Sequence, residues 1–268
     1  MEISVDNSLT AYERVKLARD PGRPKTIDFI NEMFDGFMEL KGDRLGREDK
    51  AIIGGIAKFH GIPVTIIGHR KGKTLEENIE CNFGMPEPEG YRKAMRLMKQ
   101  AEKFGRPIIT FIDTPGAYPG IEAEENGQSI AIAKSIAEMS SLKVPVIAVI
   151  TGEANSGGAL AIAVANSIVM YENAVYSILS PEGFASILWK DAAKSDKACE
   201  LMKMTASDLK KDGIIDEIIP EPEGGIQENP QEAFIMLDVI LRKELRKYMK
   251  MSEDNIYKSR YKKFRKMA

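Results

Sequence analysis

Residues 146–165 carry the strongest potential for chemistry in the chain, because small residues there separate two apolar runs. The order predicts a buried strand, a tight turn and a buried helix over residues 159–165. Adjacent glycines at a helix start let a ligand approach the backbone, where free N–H groups favour negative charge. We therefore predict an oxyanion hole made by the N–H groups of Gly157 and Gly158, with Ala159 as the next donor. The alternative is that the glycines only permit close packing of helix on sheet.

A second candidate turn is the sequence DTPGAYPG at residues 113–120, which directly follows a predicted buried strand at residues 108–112. Its two prolines and two glycines fix an unusual backbone path. Loops at strand ends are where α/β proteins place their sites. We therefore expect this turn to lie at the functional site.

A third strand-to-loop junction is the cationic sequence HRKGKT at residues 69–74, after a predicted strand at residues 64–68. It resembles a phosphate-binding P-loop, but only three residues separate Gly68 from Gly72 where that motif has four. Residues 113–116 also fit the DxxG pattern of nucleotide switches, yet the chain contains no Asn-Lys-x-Asp motif for base recognition. These departures disfavour a GTPase.

Side-chain catalysts are scarce near these junctions. Ser156 lies in the small-residue turn and a serine hydrolase is an alternative, but it would need a histidine base, and His60 and His69 are the two histidines of the chain. His60 lies in a predicted hairpin turn, and His69 begins a cationic loop that disfavours its protonated form. No cluster of histidines and carboxylates has metal-ligand spacing, so we predict no metal in this chain. Stabilisation of an enolate-like oxyanion by backbone donors is the favoured chemistry.

The composition is that of a soluble globular protein: 268 residues, 43% hydrophobic and 29% charged. A formal net charge of −2 gives no reason to expect nucleic acid or an anionic membrane as a partner. We expect no signal peptide and no membrane span, since no apolar run reaches roughly 18 residues. The expected location is the cytoplasm, with both cysteines reduced.

The predicted elements form one α/β domain in which the three junctions converge. Helices are predicted over residues 11–19 and 26–40, a strand hairpin over 51–68, a helix over 91–104, a strand over 108–112 and a helix over 127–142. Two strands over 167–178, further helices, a short strand over 213–219 and a long helix over 230–249 follow. Residues 242–266 hold 11 Lys and Arg against three Asp and Glu, which is typical of a solvated terminal helix.

Several motifs resemble, in the same order, one known family. They are KAIIGGIA (50–57), IIGH (66–69), NFGMPEPEGYRKAMRLM (82–98), IITFIDTPGAYPG (108–120), SGGALAIA (156–163), SPEGFASILW (180–189) and IIPEPEGG (218–225). From residue 9 to residue 225 the chain resembles the carboxyltransferase alpha subunits of bacterial, multi-subunit acetyl-CoA carboxylases.

This resemblance implies a crotonase-like fold, a spiral of ββα units over residues 43–225, with N-terminal helices over 1–42 and a basic helical tail over 226–268. It implies an enzyme that is active only with a zinc-ribbon beta subunit, as an α2β2 assembly. The reaction implied is transfer of the carboxyl group from carboxybiotin, on biotin carboxyl carrier protein, to acetyl-CoA, giving malonyl-CoA for fatty acid synthesis. Biotin carboxylase would be a further partner.

The resemblance also implies roles for individual residues. Gly157, Gly158 and Ala159 would stabilise the biotin ureido oxygen. Gly116, Ala117 and Tyr118 would shape the biotin entrance, while Arg70 and Lys71 would lie near CoA phosphates or face solvent or the partner subunit. A carboxyltransferase for another acyl-CoA and a ClpP-like serine hydrolase are the alternatives.

Two departures from the family pattern bear on the site and on assembly. Family members commonly have Gly-Gly before the Ser-Gly-Gly, whereas this chain has Ala154-Asn155. That difference leaves the donor set of the oxyanion hole open. Many members also carry a longer N-terminal helical segment, which affects the expected assembly contacts.

Overall fold

The structure is a computed structural model that describes residues 9–267. Its twelve α-helices within this range are α1 (Ala11–Ala18), α2 (Thr26–Met33), α3 (Leu75–Glu80), α4 (Pro88–Lys103), α5 (Ile121–Glu125), α6 (Gln128–Ser141), α7 (Ser156–Leu160), α8 (Pro181–Trp189), α9 (Ser195–Met202), α10 (Ala206–Lys211), α11 (Pro230–Tyr248) and α12 (Glu253–Lys266). The strands are β1 (Asp35–Glu39), β2 (Ile52–Phe59), β3 (Ile62–His69), β4 (Ile108–Thr114), β5 (Val146–Asn155), β6 (Ser167–Tyr171), β7 (Val175–Ser177) and β8 (Glu217–Ile219).

All eight strands belong to one sheet in the order β1-β2-β3-β4-β5-β6-β8, and β7 pairs with the end of β5. The first three strands are antiparallel, while β3, β4, β5, β6 and β8 run parallel. Every residue of β4, β5 and β6 is buried. Strands covered on both faces read as continuous apolar runs, which is why the sequence predicts them well.

The hairpin predicted around His60 is confirmed. Phe59 pairs with Ile62, and both His60 (φ 47°) and Gly61 (φ 79°) have positive φ angles. Two central residues with positive φ define the turn that matches the twist of the flanking strands. His60 therefore serves the turn, and its side chain bonds the Asp238 carboxylate at 2.5 Å on the protein surface.

The helix predicted over residues 26–40 is wrong beyond Met33. Phe34 has an extended backbone and packs against the rings of Phe59 and Phe111, with centroids 5.3 and 6.1 Å away. The chain then enters β1, which pairs with β2 at the edge of the sheet. Strand pairing therefore overrides the helical spacing of the apolar residues, and the N-terminal region is not entirely helical.

The C-terminal helices are fastened to the core, contrary to the expectation of a solvated tail. Arg260 in α12 is fully buried, and its guanidinium donates to the carbonyls of Met139, Leu142 and Val144. It also donates to the Asn166 side-chain oxygen. These acceptors include the carbonyls at the end of α6, which have no partner within their own helix. Lys258, Lys262, Arg265 and Lys266 of α12 remain exposed, whereas Lys263 bonds Asp216.

Helices long and apolar enough to cross a membrane are absent from residues 9–267.

Candidate active site

The ends of three neighbouring parallel strands form one edge of the sheet. Strand β3 ends at His69, β4 at Thr114 and β5 at Asn155, and β4 lies between the other two. The three junctions predicted from the sequence therefore follow adjacent strands on the same edge.

Two of the predicted segments are in direct contact. A β-carbon built at Gly158 would lie 2.4 Å from the Ala117 nitrogen and 2.6 Å from the Gly116 carbonyl carbon. Real β-carbons do not come this close to backbone atoms, so only glycine fits at position 158 without a shift of the turn. The structure thus brings the predicted oxyanion stretch against the predicted biotin turn.

The turn itself is held by side-chain and backbone bonds. Gly116 has φ 141°, and the Thr114 hydroxyl both accepts from its N–H at 3.0 Å and donates to its carbonyl at 2.8 Å. The Tyr118 N–H donates to the Pro86 carbonyl, and the Gln128 amide donates to the Pro86 and Tyr118 carbonyls. Tyr118 is therefore fixed beside the Gly116–Ala117 peptide by its backbone.

In the predicted strand–turn–helix, the strand is longer and the helix is shorter than the sequence indicates. Strand β5 extends to Asn155, and α7 begins at Ser156 and ends at Leu160, so the helix predicted over residues 159–165 is wrong in position. A helix leaves the N–H groups of its cap and first three residues without an intrahelical acceptor. No side chain caps α7. Gly157 and Gly158 belong to this donor set, while Ala159 is the first residue beyond it.

Ser156 has no histidine base beside it. It is exposed with φ 61°, and its hydroxyl makes no hydrogen bond to His60 or His69, both within the described residues. His60 bonds Asp238 on the surface, and fully buried His69 lies against the backbone of Gly158 and Phe111. Burial lowers the pKa of His69 to about 3, against the opposing effect of the Asp113 carboxylate. The geometry gives no support to a serine hydrolase.

Lys71 does not extend from the loop as a free cation. Its Nζ donates to Asp113 Oδ1 at 2.6 Å, and its stem crosses Gly84, whose β-carbon would lie 2.8 Å from Lys71 Cγ. Asp113 is buried, which by itself raises a carboxyl pKa, but Lys71, Lys25 and the Glu153 N–H hold the Asp113 pKa below its ordinary value. The expectation that Lys71 faces solvent is wrong; Arg70 beside it is half-buried.

Strand β5 contains an irregularity beside this ion pair. Ile112 pairs with Ile150, but Thr114 pairs with Ala154, so three residues of β5 oppose Asp113 alone. Bulges of this kind interrupt the ladder and redirect a strand end, often beside active sites. The Glu153 N–H donates to Asp113 Oδ1 at 3.1 Å, and the Arg23 Nε donates to the Thr151 carbonyl at 2.6 Å.

The last residues of β5 are fixed by further polar contacts. The Glu153 carboxylate accepts from Arg19 at 2.6 Å and from the Asn155 amide at 2.8 Å. Arg19 also contacts Glu182 at the start of α8, at 2.7 Å. The Asn155 oxygen accepts from Ser177 in β7 at 2.7 Å. The buried Asn155 side chain thus links β5 to β7. Asn155, at a position where family members commonly have glycine, therefore has a structural role.

Sequence reasoning assigned no individual role to Asp113, Glu153 or Arg19, although Asp113 begins the turn expected at the site. Asp113 carried a signal, since it is a carboxylate at the end of a buried apolar strand, where an unpaired charge is costly. Its partner lies 42 residues away along the chain, so spacing alone does not reveal the pair.

Within the described residues, no group of three or more His, Cys, Asp or Glu side chains could hold a metal ion. A cavity of about 440 Å³ between β7, α8 and α9, lined by Tyr176, Phe184, Leu201 and Met202 among others, lies apart from the Gly116–Gly158 contact.

Two solved structures show which fold this chain shares. The transcarboxylase 12S structure covers 91% of this chain and 46% of its own, with a TM-score of 0.68 and 19% identity. A Pseudomonas malonate decarboxylase hetero-tetramer covers 79% of this chain and 84% of its own, with a TM-score of 0.64 and 15% identity. The predicted crotonase-like fold is confirmed.

Sequence relatives define the family within that class. Residues 1–268 match the family described as acetyl co-enzyme A carboxylase carboxyltransferase-like. The acetyl-coenzyme A carboxylase carboxyl transferase subunit alpha of Anoxybacillus flavithermus is 55% identical over the whole of this chain and 82% of its own length. That of Listeria monocytogenes is 54% identical over the whole chain and 84% of its own length. The chain belongs to the acetyl-CoA carboxylase carboxyltransferase family, as its motifs predict.

Proposed function

We propose that the chain is the alpha subunit of an acetyl-CoA carboxylase carboxyltransferase. With a beta subunit it moves the carboxyl group of carboxybiotin to acetyl-CoA, giving malonyl-CoA. Family membership over all 268 residues supports the reaction. The contact of Gly158 with the Gly116–Ala117 peptide, beside the uncapped start of α7, carries the proposal for the site.

The donor set suits a carbonyl oxygen that gains negative charge. The N–H groups of Gly157 and Gly158 precede the first intrahelical bond of α7, and fixed backbone donors stabilise an oxyanion without reorganisation. Carboxybiotin supplies the activated carboxyl group and, once that group has left, a ureido nitrogen able to accept a proton from the acetyl methyl. The chain then needs no strong base of its own, which agrees with the neutral, buried state of His69.

The Gly116–Ala117 turn forms the wall of the proposed biotin entrance, with Tyr118 at its rim. The Thr114 and Gln128 side chains hold the backbone there, so the entrance keeps its shape before the carrier arrives. Preorganisation of this kind lowers the cost of binding. Arg70 remains a candidate for contact with CoA or the partner subunit, while Lys71 is assigned to Asp113.

The remaining parts of the system are proposed from the family. They are a zinc-ribbon beta subunit that supplies most of the CoA side, biotin carboxyl carrier protein, biotin carboxylase, an α2β2 assembly and a cytoplasmic location. Another short acyl-CoA is the alternative acceptor.

The test is reconstitution of the chain with its beta subunit, followed by measurement of malonyl-CoA formed from acetyl-CoA and carboxylated carrier protein. We expect turnover by the complex and none by either subunit alone. Propionyl-CoA and butyryl-CoA in the same assay distinguish the acceptors. Turnover by the isolated chain, or none by an assembled complex, would contradict the proposal.

A further inference from the structure

The irregular part of β5 depends on side chains from outside the strand. Residues 151–153 lack regular ladder partners on β4, where only Asp113 opposes them. An unpaired backbone group in a buried position costs about as much as a lost hydrogen bond. Asp113 supplies the acceptor for the Glu153 N–H, and Gly152 leaves room for it, since a β-carbon there would lie 2.6 Å from Asp113 Oδ1.

A buried carboxylate needs a counter-charge to remain ionised, and Lys71 provides it at 2.6 Å. The exposed fractions of the two side chains are 16% for Lys71 and 7% for Asp113, so water screens the pair weakly. Lys71 follows β3, Asp113 is in β4 and Glu153 is in β5. One ion pair thus joins the ends of three adjacent strands.

The turn after β4 and the start of α7, the two halves of the proposed site, each begin three residues after a residue that belongs to this pair or is bound to it. Asp113 lies three residues before Gly116, and Glu153, bound by the Asp113 carboxylate, lies three residues before Ser156. We expect a displaced Asp113 carboxylate to shift the turn and the start of α7 relative to each other, because it contacts both strands. Gly158 and Ala117 are already in close contact, so there is no space between them to accommodate such a shift.

We propose that Lys71 and Asp113 act together as a positioning pair for carboxyl transfer, holding the bulge of β5 so that Gly157 and Gly158 face the transferred group correctly. Neither side chain touches the substrate in this account. The inference rests on the proposed function.

The test is a double-mutant cycle in the reconstituted complex of this chain with its beta subunit. The variants are Lys71→Met, Asp113→Asn and the double variant, with Lys71→Arg as a charge-conserving rescue. Lys50→Met is the matched control, because Lys50 forms an exposed ion pair with Glu80 at 3.0 Å. Assembly and melting temperature are recorded for each variant, and kcat and KM for acetyl-CoA are measured on assembled protein.

A displacement of catalytic groups by about 1 Å costs about 100-fold in rate, so we expect kcat to fall by roughly 10- to 100-fold in each single variant. KM should stay within about twofold, because acetyl-CoA binding does not use the pair. The double variant should be no slower than the slower single variant, Lys71→Arg should recover most of the rate, and Lys50→Met should match the wild type. If Asp113→Asn does not fold, the rates of Lys71→Met and Lys71→Arg still test whether the pair positions the site.

Hydrogen exchange of the isolated full chain gives a readout that needs no activity. Exchange over residues 150–160 should be faster in Lys71→Met than in the wild type, with no change over α11. Unchanged kcat, losses that multiply in the double variant, or unchanged exchange would each overturn the inference. A wild-type complex with no activity would instead count against the proposed function, and the exchange result alone would then decide the role of the pair.

Discussion

The α-carbon of Gly158 packs against the backbone nitrogen of Ala117, so closely that a β-carbon at Gly158 would come within 2.4 Å of it. The two residues are 41 positions apart and follow adjacent parallel strands, β4 and β5. This contact joins the start of α7 to the turn that follows β4. It places the two halves of the proposed site in direct contact.

Replacing Gly158 by alanine should therefore disable the site. The new β-carbon would force the Gly116–Ala117 peptide to move, and we expect carboxyl transfer to fall by about 100-fold or more. Gly157→Ala is the comparison, since its β-carbon would meet only the movable Ile132 side chain at 3.3 Å. Transfer rates of assembled complexes and melting temperatures check this. A Gly158→Ala complex as active as Gly157→Ala would contradict it.

Ser156→Ala should retain transfer activity within about threefold, because no histidine bonds Ser156 and the proposed chemistry uses backbone donors. Both residues carry a β-carbon, so the strain of φ 61° is unchanged. The measurement is kcat of the assembled complex, together with labelling of the wild type by a fluorophosphonate. Covalent labelling at Ser156 and complete loss of activity in the variant would restore the hydrolase hypothesis.

Asn155→Ala should destabilise the fold by about 2 kcal/mol, because it removes a buried amide that bonds both Glu153 and Ser177. Asn126→Ala is the control, since its amide bonds the Glu122 carbonyl at an exposed site. Urea unfolding measures the difference. Equal urea midpoints for the two variants would mean that the Asn155 side chain does not stabilise the fold.

Stability should fall as pH falls because of His69. An unfolded histidine takes up a proton near pH 6.5, whereas folded His69, with a pKa of about 3, stays neutral. Between pH 6.5 and pH 3 the unfolded state thus binds more protons than the folded state. At pH 5 this lowers the free energy of unfolding by about 2 kcal/mol. His69→Asn should lose this part of the pH dependence, and His60→Gln should keep it. Urea unfolding at pH 8 and pH 5 checks the difference; identical slopes for wild type and His69→Asn would refute it.

Arg260→Met should cost roughly 3 to 5 kcal/mol, because the Met139, Leu142 and Val144 carbonyls would each lose the guanidinium donor and the Asn166 oxygen would lose one of its two donors. Lys258→Met on the same helix removes an exposed pair with Asp254 and should leave stability nearly unchanged, because solvent screens such pairs. Calorimetry of the two variants compares them. A small loss for Arg260→Met would show that α12 is only loosely docked.

The sequence predicts the parallel core well, because buried strands such as β4 and β5 are continuous apolar runs whose character does not depend on distant contacts. It fails at β1, where pairing with β2 decides the conformation of residues 35–39 in place of their helical spacing. It also fails at α12, since a buried arginine among lysines has no signature along the chain.

At the site, the close backbone approach at the glycines can be predicted from the sequence, whereas the pairing of charged side chains cannot. Adjacent Gly157 and Gly158 predict a close backbone approach, and the structure shows what approaches Gly158: the Gly116–Ala117 turn. In the sequence Lys71 and Asp113 belong to two separate strand-to-loop junctions. They come together because β3 pairs with β4 in the sheet. Their pairing depends on strand order, which local pattern does not contain.

The most direct test of the proposed function and site is transfer of labelled carboxyl from malonyl-CoA to biotin. The assay runs the proposed reaction in reverse, with this chain, its beta subunit or both. We predict labelled carboxybiotin only when both subunits are present, with loss of the signal in Gly158→Ala complexes that still assemble. Label transfer that does not require this chain, or that survives Gly158→Ala unchanged, would contradict the account.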